Sequence, residues 1–248
     1  MAIAIGNTAD LGDNGGASNS LTVAYNNAAV LRRTLLNIIG DFATSGVGFD
    51  DITGVTYAGV ALSLVAKQVN LTGTPSNSAR FSYIYTGYNL PTGTNNFVIT
   101  CTNTHYILAV VADYAGSAAT AGLDNSTTNR VTSGTVSLST LTTSLTTIAD
   151  NCWLALSLSF DVGGGVTPTG VALRKQGAAF GIPNLYDSNG SKTPAGNYSA
   201  TTLTSSNQQE IAHILASLAP LLLVATAGRA GGENVATVRT GGGARLSW

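Results

Sequence analysis

Charged side chains are scarce in this sequence of 248 residues: 11 Lys+Arg and 12 Asp+Glu make up 9% of it, against roughly 25% in ordinary soluble domains. A formal net charge of −1 excludes the basic surface that nucleic-acid binding needs, because that affinity comes from counterions displaced by lysine and arginine. Low charge combined with a hydrophobic fraction of 44% also argues against a disordered chain. Cysteine is nearly missing. Cys101 and Cys152 cannot staple a disulfide scaffold, and without a Cys-x-x-Cys arrangement they support neither a zinc nor a redox motif; both read as free thiols on strands. Long apolar runs are absent as well. The longest, Ile214 to Ala227, is interrupted by Ser217 and Pro220 and falls short of the ~18–20 residues that cross a bilayer, so no membrane partner is expected. The opening MAIAIGNTADLGDNGG has no basic start, apolar stretch or cleavage site, and does not read as a secretory leader.

Threonine, serine, asparagine and glycine fill the positions that charge leaves empty, with 33 Thr and 29 Gly. Two windows, Asn27 to Ile39 and Ser205 to Leu218, can be read at helical period; elsewhere short β-branched and aromatic runs alternate with turn residues. Leu21, Val23 and Tyr25 share one strand face, and Phe81, Tyr83 and Tyr85 another. In Cys152–Phe160, Leu154, Leu156 and Leu158 point one way and Trp153, Ala155 and Ser157 the other, as a sheet with one buried face requires. Leu90-Pro91-Thr92-Gly93 has turn spacing. Asn103 reads as a turn between Phe97–Cys101 and Tyr106–Val111, and Asp161–Gly165 and Asp187–Gly190 read as loops. A Val136–Leu141 strand is also expected.

About ten short strands predict an all-β protein: a two-sheet antiparallel β-sandwich of jelly-roll type over residues 20–220, preceded by a segment 1–19 and followed by an extended C-terminal arm, 221–248. The arm is glycine-rich and too poor in apolar residues to fold alone. Arg229, Arg239, Arg245 and Trp248 are its candidate attachment residues, against the alternative of a disordered end.

Three stretches, in order, carry a resemblance. Val55-Thr-Tyr57-Ala-Gly59-Val-Ala-Leu62 reads as strand, tight glycine turn, strand. Tyr83-Ile-Tyr85-Thr-Gly-Tyr-Asn-Leu90-Pro91-Thr-Gly93-Thr94 leads into Phe97–Thr100. Ile107-Leu-Ala-Val-Val-Ala-Asp-Tyr114-Ala-Gly116 precedes the Thr/Ser-rich Val131 to Thr147 and Trp153-Leu-Ala-Leu156. This order resembles a jelly-roll-like β-sandwich family found in bacteriophage structural proteins and bacterial surface proteins, over Ser20 to Ala219. The resemblance implies a non-enzymatic virion or surface domain, carries over no catalytic residue, and makes Ile211–Leu218 a closing strand rather than a helix.

Residues capable of chemistry are few and scattered. His105 and His213 lack a Gly-x-Ser-x-Gly elbow and read as structural. Asp113, Asp150 and Asp161 stand at strand ends beside turn residues, where aspartate serves local hydrogen bonds, although paired carboxylates are also what glycoside hydrolysis needs. Asp50-Asp51 and Asp10-x-x-Asp13-Asn14 offer hard oxygens without EF-hand spacing, so solvated loops are expected and no metal or other cofactor. Gly163–Gly165 and Gly241–Gly243 lack the lysine and strand–helix context of a phosphate loop. The best ligand-binding candidate is the loop Gly181 to Tyr198, through Tyr186, Asp187, Asn189 and Tyr198. The expectation is a structural protein of a phage virion, assembled in the host cytoplasm, with copies of itself and other virion proteins as partners and a host-surface glycan as a further one. A bacterial adhesin or carbohydrate-binding module, or an extracellular filament subunit, is the alternative.

Overall fold

The computed structural model describes residues 2–42, 50–69, 81–119, 123–132, 140–160, 166–177, 183–204, 210–221, 224–230, 233–239 and 245–246. The chain is all-β and its sheets are antiparallel. The first eight strands are β1 Ala4–Asp13, β2 Ser18–Asn27, β3 Arg32–Phe42, β4 Ile52–Tyr57, β5 Val60–Ala61, β6 Ser63–Val69, β7 Phe81–Tyr88 and β8 Gly93–Ala115. Then come β9 Leu123–Thr132, β10 Thr140–Thr146, β11 Trp153–Phe160, β12 Val166–Thr169, β13 Ala172–Gln176, β14 Asn184–Asp187, β15 Asn197–Thr204 and β16 Glu210–Leu218. Three more, β17 Val224–Ala230, β18 Glu233–Arg239 and β19 Arg245–Leu246, close the chain.

β8 organises the first half. Its early residues pair with β2 and β4, its later ones with β1 and β3. In a straight strand Asn95 and Asp113 would lie about 60 Å apart. Yet Tyr25, the partner of Asn95, donates a 2.6 Å hydrogen bond to Asp113 Oδ2. β8 therefore curls over, and Phe97, Ile99 and Cys101 from one half share a core with Ile107, Ala109 and Val111 from the other. The corner falls at Thr102–Thr104, where the β2 register jumps from Ser20↔Thr100 to Ser18↔His105, and extra residues in one strand bend it. Two side chains replace the missing ladder. Asp51 Oδ2 accepts from the Asn103 backbone N–H at 2.8 Å and lies 2.5 Å from His105 Nε2, while Asn14 donates to the His105 carbonyl and accepts from the Ile107 N–H. The turn expected at Asn103 is thus a corner within one continuous strand. The path β5-β4-β8-β3-β7-β6 has its two ends joined through Leu62, so this sheet is nearly closed into a barrel.

β11 lies between β14 and β16 in a second sheet, ordered β13-β14-β11-β16-β9, and β10-β15-β12 form a third. Alternation along β11 assigns its two faces. Trp153 and Ala155 pack with Leu35, Ile84, Val110, Ala112 and Tyr114 of the barrel-like sheet, whereas Leu154, Leu156 and Leu158 pack with Leu141 and Leu145 of β10 and Ala200 of β15. The division of β11 faces was as expected, but both faces are buried. A fully buried strand needs a layer on each side, so the two sheets expected become three packed ones, the first of them doubled over, with three cores between.

Other expectations are resolved locally. Tyr57-Ala58-Gly59-Val60 is a two-residue hairpin with positive φ at both central residues (51° and 79°), the left-handed turn whose twist matches paired strands. The helical windows are strand: Arg32–Phe42 in the first, Glu210–Leu218 in the second. Residues 4–13, within the segment set apart as 1–19, form β1. The expected extended arm pairs with itself as a three-stranded sheet, β17-β18-β19. The Asp161–Gly165 loop and most of Val136–Leu141 lie outside the described residues.

Candidate functional site

The most distinctive surface belongs to the β10-β15-β12 sheet. Along β10 exposure alternates strictly: Leu141, Thr143 and Leu145 are buried, while Thr140, Thr142, Ser144 and Thr146 are exposed. The register sets these against β15, Thr142 opposite Thr201 and Ser144 opposite Ser199, with Thr169 of β12 opposite Thr201 on the other side. Hydroxyls bond across the strands, Thr142 to Thr201 at 2.9 Å and Ser144 to Ser199 at 2.8 Å. Strands about 4.8 Å apart, with same-face residues about 6.7 Å apart, make this a regular lattice of hydroxyl and methyl groups without a charge.

Beneath it, Thr143 and Thr202 point inward and clamp His213. Their hydroxyls lie 2.9 Å from Nδ1 and 2.6 Å from Nε2. Burial pushes the His213 pKa down to about 4, because desolvation penalises the charged imidazole. The ring is a neutral internal fastener between sheets. His105 is equally buried and belongs to the β8 corner with Asp51. Burial raises the Asp51 carboxyl, but hydrogen bonds from His105 and Asn103 outweigh it and leave the pKa below the ordinary value.

Several other acids are engaged as well. Asp50 binds Lys67 and accepts from the Tyr83 hydroxyl. Asp10 and Asp13 accept from the N–H groups of Gly12 and Gly15. Asp113, fully buried, accepts from Tyr25 and Thr34; burial raises its pKa more than these bonds lower it. Asp150 accepts from the Ala195 N–H, and Asp161 lies outside the described residues. Cys101 and Cys152 are free and buried, and burial pushes both thiols up to about 12.

The sequence-expected ligand loop is divided between interior and surface. Tyr186 packs in the core under the hydroxyl face, and Asp187, fully buried, pairs with Arg174 at 2.7 Å. Asn189 is exposed, accepts from Arg174 at 2.6 Å and donates its backbone N–H to Asp187. Tyr198 is half-buried, donates its hydroxyl to the Pro194 carbonyl and lies under the Lys192 ammonium, 5.8 Å from the ring centre. Asp187 and Asn189 are thus tied to Arg174 of β13, and Tyr198, in the neighbouring sheet, to Pro194 and Lys192. Of the arm residues, Arg229, Arg239 and Arg245 lie on β17, β18 and β19, where Arg239 pairs with Arg245, and Trp248 lies outside the described residues.

Low charge and abundant Thr and Ser lead to a neutral, hydroxyl-rich outer surface, but sequence reasoning did not place it on these strands, although its signal, a Thr/Ser residue at every second position, is present in Thr140–Thr146. It also missed a groove of about 390 Å³ lined by Arg33, Val60, Leu64, Thr86, Tyr88, Leu123 and their neighbours, whose parts are dispersed along the chain. No family model matches this sequence, and comparisons with curated proteins and with solved structures find no match.

Proposed function

We propose that this chain is a non-enzymatic structural subunit of a bacteriophage virion, a head decoration, fibre or tail component, built into the particle as a homo-oligomer through residues 221–248. Kinship of its layered body with jelly-roll domains of phage structural and bacterial surface proteins is part of the same proposal. The observation that carries it is the pairing of a neutral hydroxyl lattice on one sheet with a separate C-terminal sheet of three short strands. A face without charges meets a neighbouring copy without the desolvation penalty of burying ions. Among the described residues no further strand pairs with β17 or β19, and a sheet edge with unpaired N–H and C=O groups takes up a strand from a neighbour. Arg229, Arg239, Arg245 and Trp248 would supply ionic and apolar contacts to the particle. The partners would be further copies and other virion proteins, rather than nucleic acid or membrane, with assembly in the host cytoplasm.

Deleting residues 225–248 tests this. The truncated chain is expected to stay folded and to be lost from purified particles; incorporation at the normal level would refute the attachment role. A second reading, a carbohydrate-binding or adhesin module of a bacterial surface or an extracellular filament subunit, draws on the same hydroxyl face, which offers a glycan both donors and acceptors. A glycan array separates the two, since an architectural subunit shows no selective sugar binding.

A further inference from the structure

Arg33 stands on β3 with only 5% of its surface exposed, on the wall of the groove where the barrel-like sheet meets Ala119 and Leu123. Its Nη1 donates to the Thr86 hydroxyl at 3.1 Å, and Nη2 to the carbonyls of Ala118 and Ala119 at 2.7 and 2.8 Å. The guanidinium lies over the Tyr88 ring, 5.3 Å from its centre. Nε is buried without a hydrogen-bond partner. Among the described residues no carboxylate pairs with it. A buried cation held only by neutral acceptors is an expensive arrangement, since buried charges are ordinarily matched by opposite ones. Burial alone pushes its pKa down to about 10, so it remains protonated at neutral pH.

Around this cation the lining is mixed, Ser63 and Thr86 standing beside apolar side chains. Val60 and Leu64, each 45% exposed, sit at the ends of the sheet path on β5 and β6 and, with Leu90 and Leu123, supply the apolar part of the lining. The volume falls within the range of small-molecule sites, which favour junctions between folded units and combine apolar walls with a few polar groups. We propose that this groove binds a small organic carboxylate with an apolar body, the carboxylate facing Arg33 and the body lying against Leu64, Val60 and Tyr88. This is independent of the architectural role proposed above, which places no ligand in the groove.

Benzoate is the probe and benzamide its uncharged control, titrated into the full-length chain and followed by two-dimensional NMR. Benzoate is expected to shift resonances of residues 60–64 and 86–90 in a saturable manner, with benzamide about tenfold weaker, the difference a charge-assisted contact supplies. Leu64→Ala, on an exposed edge, tests the apolar wall without disturbing Arg33 and should weaken benzoate several-fold. Arg33→Met, with folding checked by its spectrum, should abolish the preference for benzoate over benzamide. Absence of saturable shifts at tens of millimolar benzoate, equal binding of the two probes, or shifts centred elsewhere would overturn the proposal.

Discussion

The two halves of the molecule give their buried polar groups different partners. The barrel-like half encloses carboxylates: Asp113 under Tyr25 and Thr34, and Asp51 in the β8 corner with Asn103 and His105. Its core is aromatic, with Tyr57, Tyr83 and Phe97 fully or almost fully buried. The flatter half, from β10 to β16, has a leucine and alanine core and places a neutral histidine between two threonines. Where a strand must turn a corner, a charged acceptor can satisfy several backbone and side-chain donors at once. Where β10 and β15 cover the second sheet, neutral hydroxyls hold the buried His213 and leave the β10-β15 face uncharged, while the buried carboxylate of Asp187 on β14 is matched directly by Arg174.

The comparison can be broken most severely at Phe97, whose ring contacts both Tyr25 and Tyr57. Phe97→Ala should cost about 4 kcal/mol by denaturant unfolding, against about 3 for Leu156→Ala in the flat half. Next is the corner. Asp51→Ala removes the acceptor that the half-buried Asn103 and the buried His105 share and should cost about 2–3 kcal/mol, with hydrogen-exchange protection lost first around residues 101–107; unaltered protection there would show that the corner holds itself.

Acid should separate the halves by sign. His213 has its pKa lowered to about 4, so between about 6.5 and 4 the unfolded chain takes up a proton that the folded one refuses. Stability from this group is full above about 6.5 and falls by up to about 3 kcal/mol by pH 4. Asp113 acts in the opposite direction: its raised pKa means the folded chain binds the proton more readily, so acidification towards the ordinary carboxylate range relieves its cost. The carboxylates of Asp50 and Asp51, lowered, lose their contribution only below that range. Melting between pH 7 and 4 should therefore destabilise the flat half first, and His213→Leu should flatten the dependence; an equal slope in the variant would remove His213 as its cause. The thiols give a milder distinction. Cys101 and Cys152, both buried with raised pKa values, should resist a thiol reagent at neutral pH until the half that holds each one opens. The smallest effect is expected on the lattice itself, where Thr142→Val with Ser144→Ala should change stability by no more than about 0.5 kcal/mol.

Much of this contrast was legible in the sequence, and the reasons for the rest are physical. The opposed faces of β11, the Ala58-Gly59 turn and the shared face of Phe81, Tyr83 and Tyr85 follow from period and turn chemistry. The number of layers does not, because Ala155 and Ser157 look like a solvent face yet pack against another sheet. The stretch Asn27 to Ile39 misleads for the same reason: a strand buried on both sides loses its alternation and can be read at helical period. Asn103 reads as a turn because the side chains that hold this corner, Asp51 on Asn103 and His105 and Asn14 on His105 and Ile107, are remote in sequence. The hydroxyl face was legible as a pattern within seven residues. The Arg33 groove was not, since β3, β5, β6, β7 and the approach to β9 each contribute only a residue or a few.

Immunogold electron microscopy of purified particles, with antibody raised against this chain, tests the architectural reading most directly. Gold at regular positions on the head, tail or fibres is expected. Particles that carry none, while the protein accumulates elsewhere in infected cells or on a bacterial surface, would contradict it.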